Sequence, residues 1–399
     1  MLPVPFCFLY MWRKIAMDSI NVRAYGAVGD GFADDWAALQ RAIDEGKGGE
    51  VYIPAGVYRV PHTLMVSSHT HICAEADARI FHCGSTIKRR GDFLLSNRGA
   101  GDCDISIDGG IWDGNYDGVN NNKPSDLFDP EAWSGATLNF NGVKGLHLSN
   151  MRVENSVVYF IRMGDIDGFN IEHICFDAQK LAYNQDGLHF GGGCRNGVVN
   201  DISAFSGETN DDMIALNADD SIVRLENRDL MRAPIENISF SNIHAANCYT
   251  AVRMLSVDHA IRNISINNLE CGCRHYAINM DGARYCRTPL FREDEMPFGC
   301  GLIENVSING MHVFASDEEA HDPLICAETT CRNFTMNGFE RILKRDKQPE
   351  TKQTLLVRNM VNTAIELGCG NERRNIDMHV KSDRFETREI FDYLAINQK

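Results

Sequence analysis

One nine-residue phrase recurs along the middle of this 399-residue chain, and it limits the possible folds more than any other feature. The phrase runs apolar, polar, Asn or Gly, apolar, polar, apolar, polar, Asn-like, apolar. It reads Ile235-Glu236-Asn237-Ile238-Ser239-Phe240-Ser241-Asn242-Ile243, and it returns from Ile261 and from Ile303. Looser copies begin at Val143, Ile166, Cys194 and Cys331. Successive starts are 23, 28, 41, 26, 42 and 28 residues apart, so each long interval holds either a further coil or an inserted loop. Short alternating strands with corner residues at fixed offsets describe a solenoid, whose turns bury their apolar faces only against their neighbours. A β-sandwich would join its strands by hairpins, yet the hairpin-like pairs Asn141-Gly142 and Asn196-Gly197 stand inside the phrase. The expected fold class is all-β, a single-stranded right-handed parallel β-helix.

A solenoid needs a cap at each end. Asp34 and Asp35 are placed to cap a helix over about residues 33–45 whose apolar stripe is Trp36, Leu39 and Ile43. From about Arg345 the phrase is lost and charge density rises. The expected organisation is an N-terminal extension over 1–20, the β-helix over 21–345 and a capping tail over 346–399. Met1 to Trp12 is apolar and is followed by Arg13 and Lys14. A secretory signal carries its charge first and a small-residue cleavage site last, and a run this short does not span a bilayer. Met17 would serve as an alternative start. A cytoplasmic location with no membrane partner is therefore expected, with secretion as the alternative.

The formal net charge is −16, which argues against nucleic acid as a partner. A polyanionic substrate would need basic residues gathered in the cleft. The 14 cysteines include no CxxC pair and no zinc spacing. Cys175, Cys194, Cys248 and Cys331 fall where buried apolar residues belong, so they read as core thiols in a reducing compartment. No cofactor is expected, and the oligomeric state is left open.

Asn21-Val22-Arg23-Ala24-Tyr25-Gly26-Ala27-Val28-Gly29-Asp30-Gly31, with Ala33-Asp34-Asp35 and Val51 to Tyr58, resembles the opening of pectin-active β-helix enzymes. Hydrolases, lyases, epimerases and phage tailspikes of the pectate-lyase type share that opening, so it speaks for fold more than chemistry. Asn184-Gln185-Asp186-Gly187 is similar to the Asn-Thr-Asp-Gly motif of glycoside hydrolase family 28, the polygalacturonase family. Asn210-Asp211-Asp212-Met213-Ile214-Ala215-Leu216 resembles that family's Asp-Asp motif, and Ala251-Val252-Arg253-Met254 matches its Arg-Ile-Lys motif in the arginine. With Ile107 to Trp112, the similarity covers about residues 21–270. The family's Gly-His-Gly motif has no counterpart between Asp212 and Arg253, where His244 lies inside a repeat phrase. Leu255 stands where the family has a lysine that helps hold a galacturonate carboxylate. These departures point away from unmodified polygalacturonan as substrate.

The repeat register gives separate support for a site. Asp186 lies eight residues before the phrase at Cys194, and Arg253 eight before the phrase at Ile261. Equal phase predicts one angular position, with Asp186, Asp211, Asp212 and Arg253 forming a column on coils stacked about 4.8 Å apart. Strict alternation, however, would turn Asp186 the same way as Leu188 and Phe190, unless Gly187 and its corner break the parity. Inverting glycoside hydrolysis needs one protonated carboxyl and one carboxylate about 6.5–9.5 Å away that activates water. The resemblance implies Asp212 as general acid, Asp186 and Asp211 as the water-positioning bases, and Arg253 on an oxygen or carboxylate of the sugar. His189, Asn184 and Asn210 are lesser substrate-binding candidates. Trp112, Tyr116 and Trp133 suit sugar stacking or loop anchoring equally, and Arg284, Arg287 and Arg292 read as a solvated loop before cleft residues. Asp219-Asp220 could bind calcium, although two residues are not a site.

The leading expectation is an inverting, polygalacturonase-like hydrolase of pectin-type or related oligo- or polysaccharides. A lyase or epimerase on the same scaffold would need a Lys, Arg or Tyr base and often calcium. A non-catalytic carbohydrate-binding solenoid is the third reading.

Overall fold

The computed structural model describes residues 19–83, 93–116, 136–178, 184–205, 209–220, 227, 229–282, 301–358, 363–369, 372–378 and 388–391. The expected extension over 1–20 falls almost wholly outside these, as do Trp133, Arg284, Arg287 and Arg292. What they form is a right-handed parallel β-helix. Each repeat phrase begins a long strand, which is followed by a corner and then a short strand. The long strands Cys103–Asp113, Lys144–Glu154, Asp167–Asp177, Arg195–Ala204 and Ile235–Leu255 pair in parallel, each with the next. Ile261–Asp281, Ile303–Ala315 and Cys331–Arg341 continue the stack.

The phrase's third and eighth positions are where the long strand bends. Asn196, Asn237, Asn263, Asn305 and Asn333 at the third, and Asn150, Asn242 and Asn268 at the eighth, all take left-handed backbone, with φ between 49° and 62°. Asn tolerates that region because its short side chain bonds locally. Here the side chains also bond along the stack: Asn263 Nδ2 donates to Asn237 Oδ1 at 2.9 Å, and Asn333 Nδ2 donates to Asn305 Oδ1 at 2.8 Å. Inside, equivalent apolar residues of successive coils form a continuous core, in which Phe190 packs between Phe169 and Phe240 at centroid distances of 5.5 and 5.8 Å. Neither long interval holds a further coil, because Arg195–Ala204 pairs directly with Ile235–Leu255 and Ile261–Asp281 directly with Ile303–Ala315.

A second parallel stack of strands carries the motif carboxylates. It stacks Leu64–Val66, Leu95–Asn97, Leu138–Asn141, Ile161–Gly164, Leu188–Gly191 and Asp212–Asn217. The C-terminal parts of Ile235–Leu255 and Ile261–Asp281 then extend it to Ile325–Ala327 and Leu355–Arg358.

The N-terminal helix is present as Trp36–Glu45, with Leu39 and Ile43 buried and Trp36 packed beside them. Only one of the two expected caps serves the helix. Asp34 Oδ1 accepts from the Trp36 amide at 3.0 Å, whereas the Asp35 carboxylate accepts from Val28 and Gly29 amides at 2.6 and 3.2 Å. Gln40 closes the open edge of the second stack by exchanging two hydrogen bonds with the Met65 backbone, at 2.8 and 2.9 Å. At the far end the parallel ladder runs past Arg345, through Leu355–Arg358 and Thr363–Cys369. Among the described residues, Glu372–Met378 and Arg388–Phe391 pair antiparallel with these last strands. The strands Leu355–Arg358 and Thr363–Cys369 contain no asparagine, so the phrase cannot be read in them. Among the described residues, no helix is long and apolar enough to cross a membrane.

Candidate active site

The motif carboxylates converge on the second stack. Leu188 pairs with Ile214, which sets Asp186 and Asp212 side by side two residues upstream, and the Asp212 amide lies 3.4 Å from Asp186 Oδ1. Gly187 makes the approach possible, since a Cβ there would lie 2.6 Å from Met213 O and 2.8 Å from the Phe176 ring. The parity conflict is resolved at the same corner. Asp186 Oδ2 meets His189 Nδ1 at 2.5 Å, on the face opposite the core positions Leu188 and Phe190.

One oxygen from each of Asp186, Asp211 and Asp212 lies within 4.8 Å of the other two. This is tighter than the expected water-spaced pair, because two of the three are sequence neighbours and the third sits one coil away. Among the described residues this is the one trio of such ligands close enough to share a metal ion. Asp186 and Asp212 are buried and Asp211 is half-buried. Burial first, and then Asp211 and Asp186, push the Asp212 carboxyl well above the usual carboxylate range, against the opposing pull of Arg253. Asp212 Oδ2 receives no hydrogen bond.

Arg253 does not occupy the phase that the spacing predicts. Thr250 stacks on Asp212, while Arg253 stacks on Ala215 and through it on His189. Gly191 and Leu255 are equivalent through Asn217, but three residues bring Gly191 to its next phrase and six bring Leu255 to its own. The longer corner displaced the count. Asp219 holds that corner, accepting from the amides of Val257, Asp258 and His259 at 2.7–2.8 Å. The Arg253 side chain binds Asp281 through Nε at 3.3 Å and Nη2 at 3.1 Å, and its Nη1 stands 3.9 Å from Asp212 Oδ2.

His189 is a buried bridge behind the site and not a group facing the cleft. Besides Asp186, it meets Asp220 through Nε2 at 3.0 Å and packs on the Tyr159 ring at 4.0 Å. Burial alone would depress its pKa, but the hydrogen bonds to the two carboxylates outweigh it and raise the pKa to about 9. Asp220 also accepts from Asn227 Nδ2, and Asn227 binds Arg162 Nε at 3.0 Å. Asp219 and Asp220 are thus occupied by protein groups, contrary to the calcium pairing. Asn184 is a buried left-handed turn residue with φ 57°. Asn210 Oδ1 accepts from Arg274 Nη2 at 2.9 Å. Trp112 is wholly buried, donating to Gly109 O at 3.1 Å, and Tyr116 packs on Ala136, Val157, Val158 and Tyr159. Trp112 is therefore closed to a sugar and anchors the chain, whereas Tyr116 is only partly buried against its cluster.

Asp281, Tyr249, Arg274 and His275 belong to no motif or repeat phase read from the sequence, and Asp220 was read only as half of a calcium pair. Asp281 had one signal, since it aligns with Leu255 at the end of an apolar strand. Tyr249 lies beside the carboxylates, and burial, followed by Asp211 and Asp212, pushes its phenol up to about 12.

Comparison with known proteins gives a family match and several distant relatives. Residues 19–274 match the model of the family described as rhamnogalacturonase A/epimerase, pectate lyase-like. The plasmin and fibronectin-binding protein A of Streptococcus pneumoniae is 28% identical over 197 residues, which is 48% of this chain and 24% of that protein. A probable polygalacturonase of Arabidopsis thaliana is 24% identical over 238 residues, 56% of this chain and 48% of its own. The chain thus spans about a quarter of the first relative and about half of the second. Among solved structures, the N-terminal fragment of bacteriophage phi29 gene product 12 superposes with a TM-score of 0.57 at 17% identity, covering 80% of this chain and 56% of that one. That likeness is one of fold.

Proposed function

The chain belongs to the rhamnogalacturonase A/epimerase, pectate lyase-like family, and on that footing we propose that it is a glycoside hydrolase of pectin-type or related oligosaccharides. The observation that carries the reading is Asp212, a buried carboxyl pushed toward its protonated form within reach of two further carboxylates. Asp212 donates its proton to the leaving glycosidic oxygen, and Asp186 with Asp211 holds and deprotonates the attacking water. The close spacing does not itself call for inversion; a single displacement with inversion is proposed from the likeness of the Asn184–Gly187 and Asp211–Asp212 motifs to glycoside hydrolase family 28. Arg253 limits the rise in the Asp212 pKa, and Asp281 keeps the guanidinium in place.

Lyase or epimerase chemistry requires a base to remove a proton beside a uronate carboxylate. Arg253, Arg274 and Tyr249 are groups of that kind; Arg253 is paired with Asp281, Arg274 is fixed on Thr209 and Asn210, and the raised pKa of Tyr249 makes it a poorer base at neutral pH. The buried thiols Cys194, Cys248, Cys271, Cys273 and Cys331 favour work in a reducing compartment on short imported oligosaccharides. The expected test result is that proton NMR of a digest shows new reducing-end anomeric signals, with the inverted anomer appearing first. Vinylic proton signals from an unsaturated sugar would move the protein to the lyases, and binding without change would leave a carbohydrate-binding solenoid.

A further inference from the structure

An anionic sugar approaching this site meets a wall of carboxylates, so it needs a cation that is not already paired. Arg253 lies on Asp281, and His189 is held between Asp186 and Asp220. Arg274 differs from both. It lies in Ile261–Asp281, just before the His275-Tyr276 pair. Its half-buried guanidinium donates from Nη1 to Asn247 O at 2.8 Å, and from Nη2 to Thr209 O at 3.1 Å and Asn210 Oδ1 at 2.9 Å. All three hydrogen-bond acceptors are neutral and fix the guanidinium in position, while the Asp317 carboxylate is near enough to feel its charge without bonding to it. Three of its five N–H groups are used in these bonds, and the Nε–H and one Nη1–H lie outside them.

The acceptors also locate it, because Thr209 and Asn210 directly precede Asp211 and Asp212. The Tyr249 ring stacks on His275, with centroids 3.9 Å apart and planes 29° apart, and the Arg274 guanidinium carbon is 6.0 Å from the Tyr249 centroid. His275 is itself held by Asp322 through Nδ1 at 2.6 Å. Guanidinium, aromatic stack and carboxylates therefore line one continuous stretch of the site. A guanidinium immobilised in advance loses little further entropy when it forms paired bonds to an oxyanion.

We infer that Arg274 is a specificity-determining residue that binds the carboxylate or sulfate ester of an acidic sugar beside Tyr249, a task for which Leu255 offers no charge. The inference rests on the carbohydrate-active reading, though not on its hydrolytic step. The test is calorimetric binding to the full chain carrying Asp212→Asn, alone and combined with Arg274→Gln. The probes are an oligogalacturonide, its methyl ester and a sulfated galactan oligosaccharide. Arg274→Gln is expected to weaken the acidic probe by at least about tenfold, the worth of one charge-assisted bond, and to leave the methyl ester within about twofold. Whichever acidic probe suffers the loss identifies the oxyanion. Equal weakening of charged and uncharged probes would mean that Arg274 only braces Thr209 and Asn210, and would overturn the inference. So would unchanged binding in the Gln variant, or no acidic probe bound by Asp212→Asn. Arg274-dependent binding by a chain that hydrolyses nothing would sustain this inference and remove the hydrolase reading.

Discussion

Arg253 lies one coil beyond Asp212 and three positions further along its strand, yet its guanidinium reaches back to within 3.9 Å of Asp212 Oδ2. The proposed acid therefore sits between two opposed influences. Its carboxylate neighbours push its pKa up and the guanidinium pulls it down.

That balance predicts opposite shifts in the pH dependence of hydrolysis. The basic limb of the profile follows loss of the Asp212 proton. Asp211→Asn removes a group that raises this pKa and should move the limb to lower pH, although the rate falls as well. Arg253→Gln removes a group that lowers it and should move the limb to higher pH. Profiles of kcat for the three proteins check both directions, and shifts of the same sign would contradict the arrangement.

Replacing the acid itself should separate activity from stability. Asp212→Asn is expected to lower the hydrolytic rate by about 10²–10⁴-fold, the usual contribution of a positioned acid. The native state holds the Asp212 proton more tightly than the unfolded chain does, so its destabilising effect begins above the ordinary carboxylate value of 3.8 and grows as pH rises. An amide carries no such cost. Thermal melts at pH 8 should place the Asn variant at or above wild type.

His189 is predicted to give the protein a stability that fades in alkali. Its folded pKa of about 9 lies above the unbound value of 6.5, so the contribution is complete below pH 6.5 and is lost as pH rises through 9. His189→Ala leaves Asp186 and Asp220 buried without their shared cation and should cost about 3–5 kcal/mol at pH 6. Denaturant titrations at pH 6 and pH 9.5 should show that gap narrowing. A constant gap would mean that His189 is neutral.

Asn263 tests the corner rule. At φ 56°, Asn263→Ala should cost about 1–2 kcal/mol from left-handed backbone alone, in addition to the bond to Asn237. Asn263→Gly loses the bond and keeps the conformational ease, so urea unfolding should rank wild type above Gly and Gly above Ala.

The fold was legible because a parallel β-helix repeats its corners. Asn237, Asn242, Asn263 and Asn268 mark two corners per coil by their fixed offsets in the phrase, and each takes left-handed backbone in the structure. The parallel strands beyond Arg345 are not legible in the phrase because Leu355–Arg358 and Thr363–Cys369 contain no asparagine. Asp186, Asp211 and Asp212 stood out as motif residues, and the structure brings their oxygens together. Arg253 was assigned the wrong phase because a corner may lengthen without disturbing the strands on either side. Tyr249 and Arg274 were hidden for a related reason. They lie beside the register shifts around Cys248, where counting along the chain no longer gives position around the solenoid.

The most direct measurement of the central claim is a digest in oxygen-18 water of pectic and neutral oligosaccharides by wild type and Asp212→Asn, read by mass spectrometry. The account predicts one heavy oxygen in each new reducing end from wild type, and at most a trace from the variant. Unlabelled unsaturated products, or equal labelling by the two proteins, would contradict it.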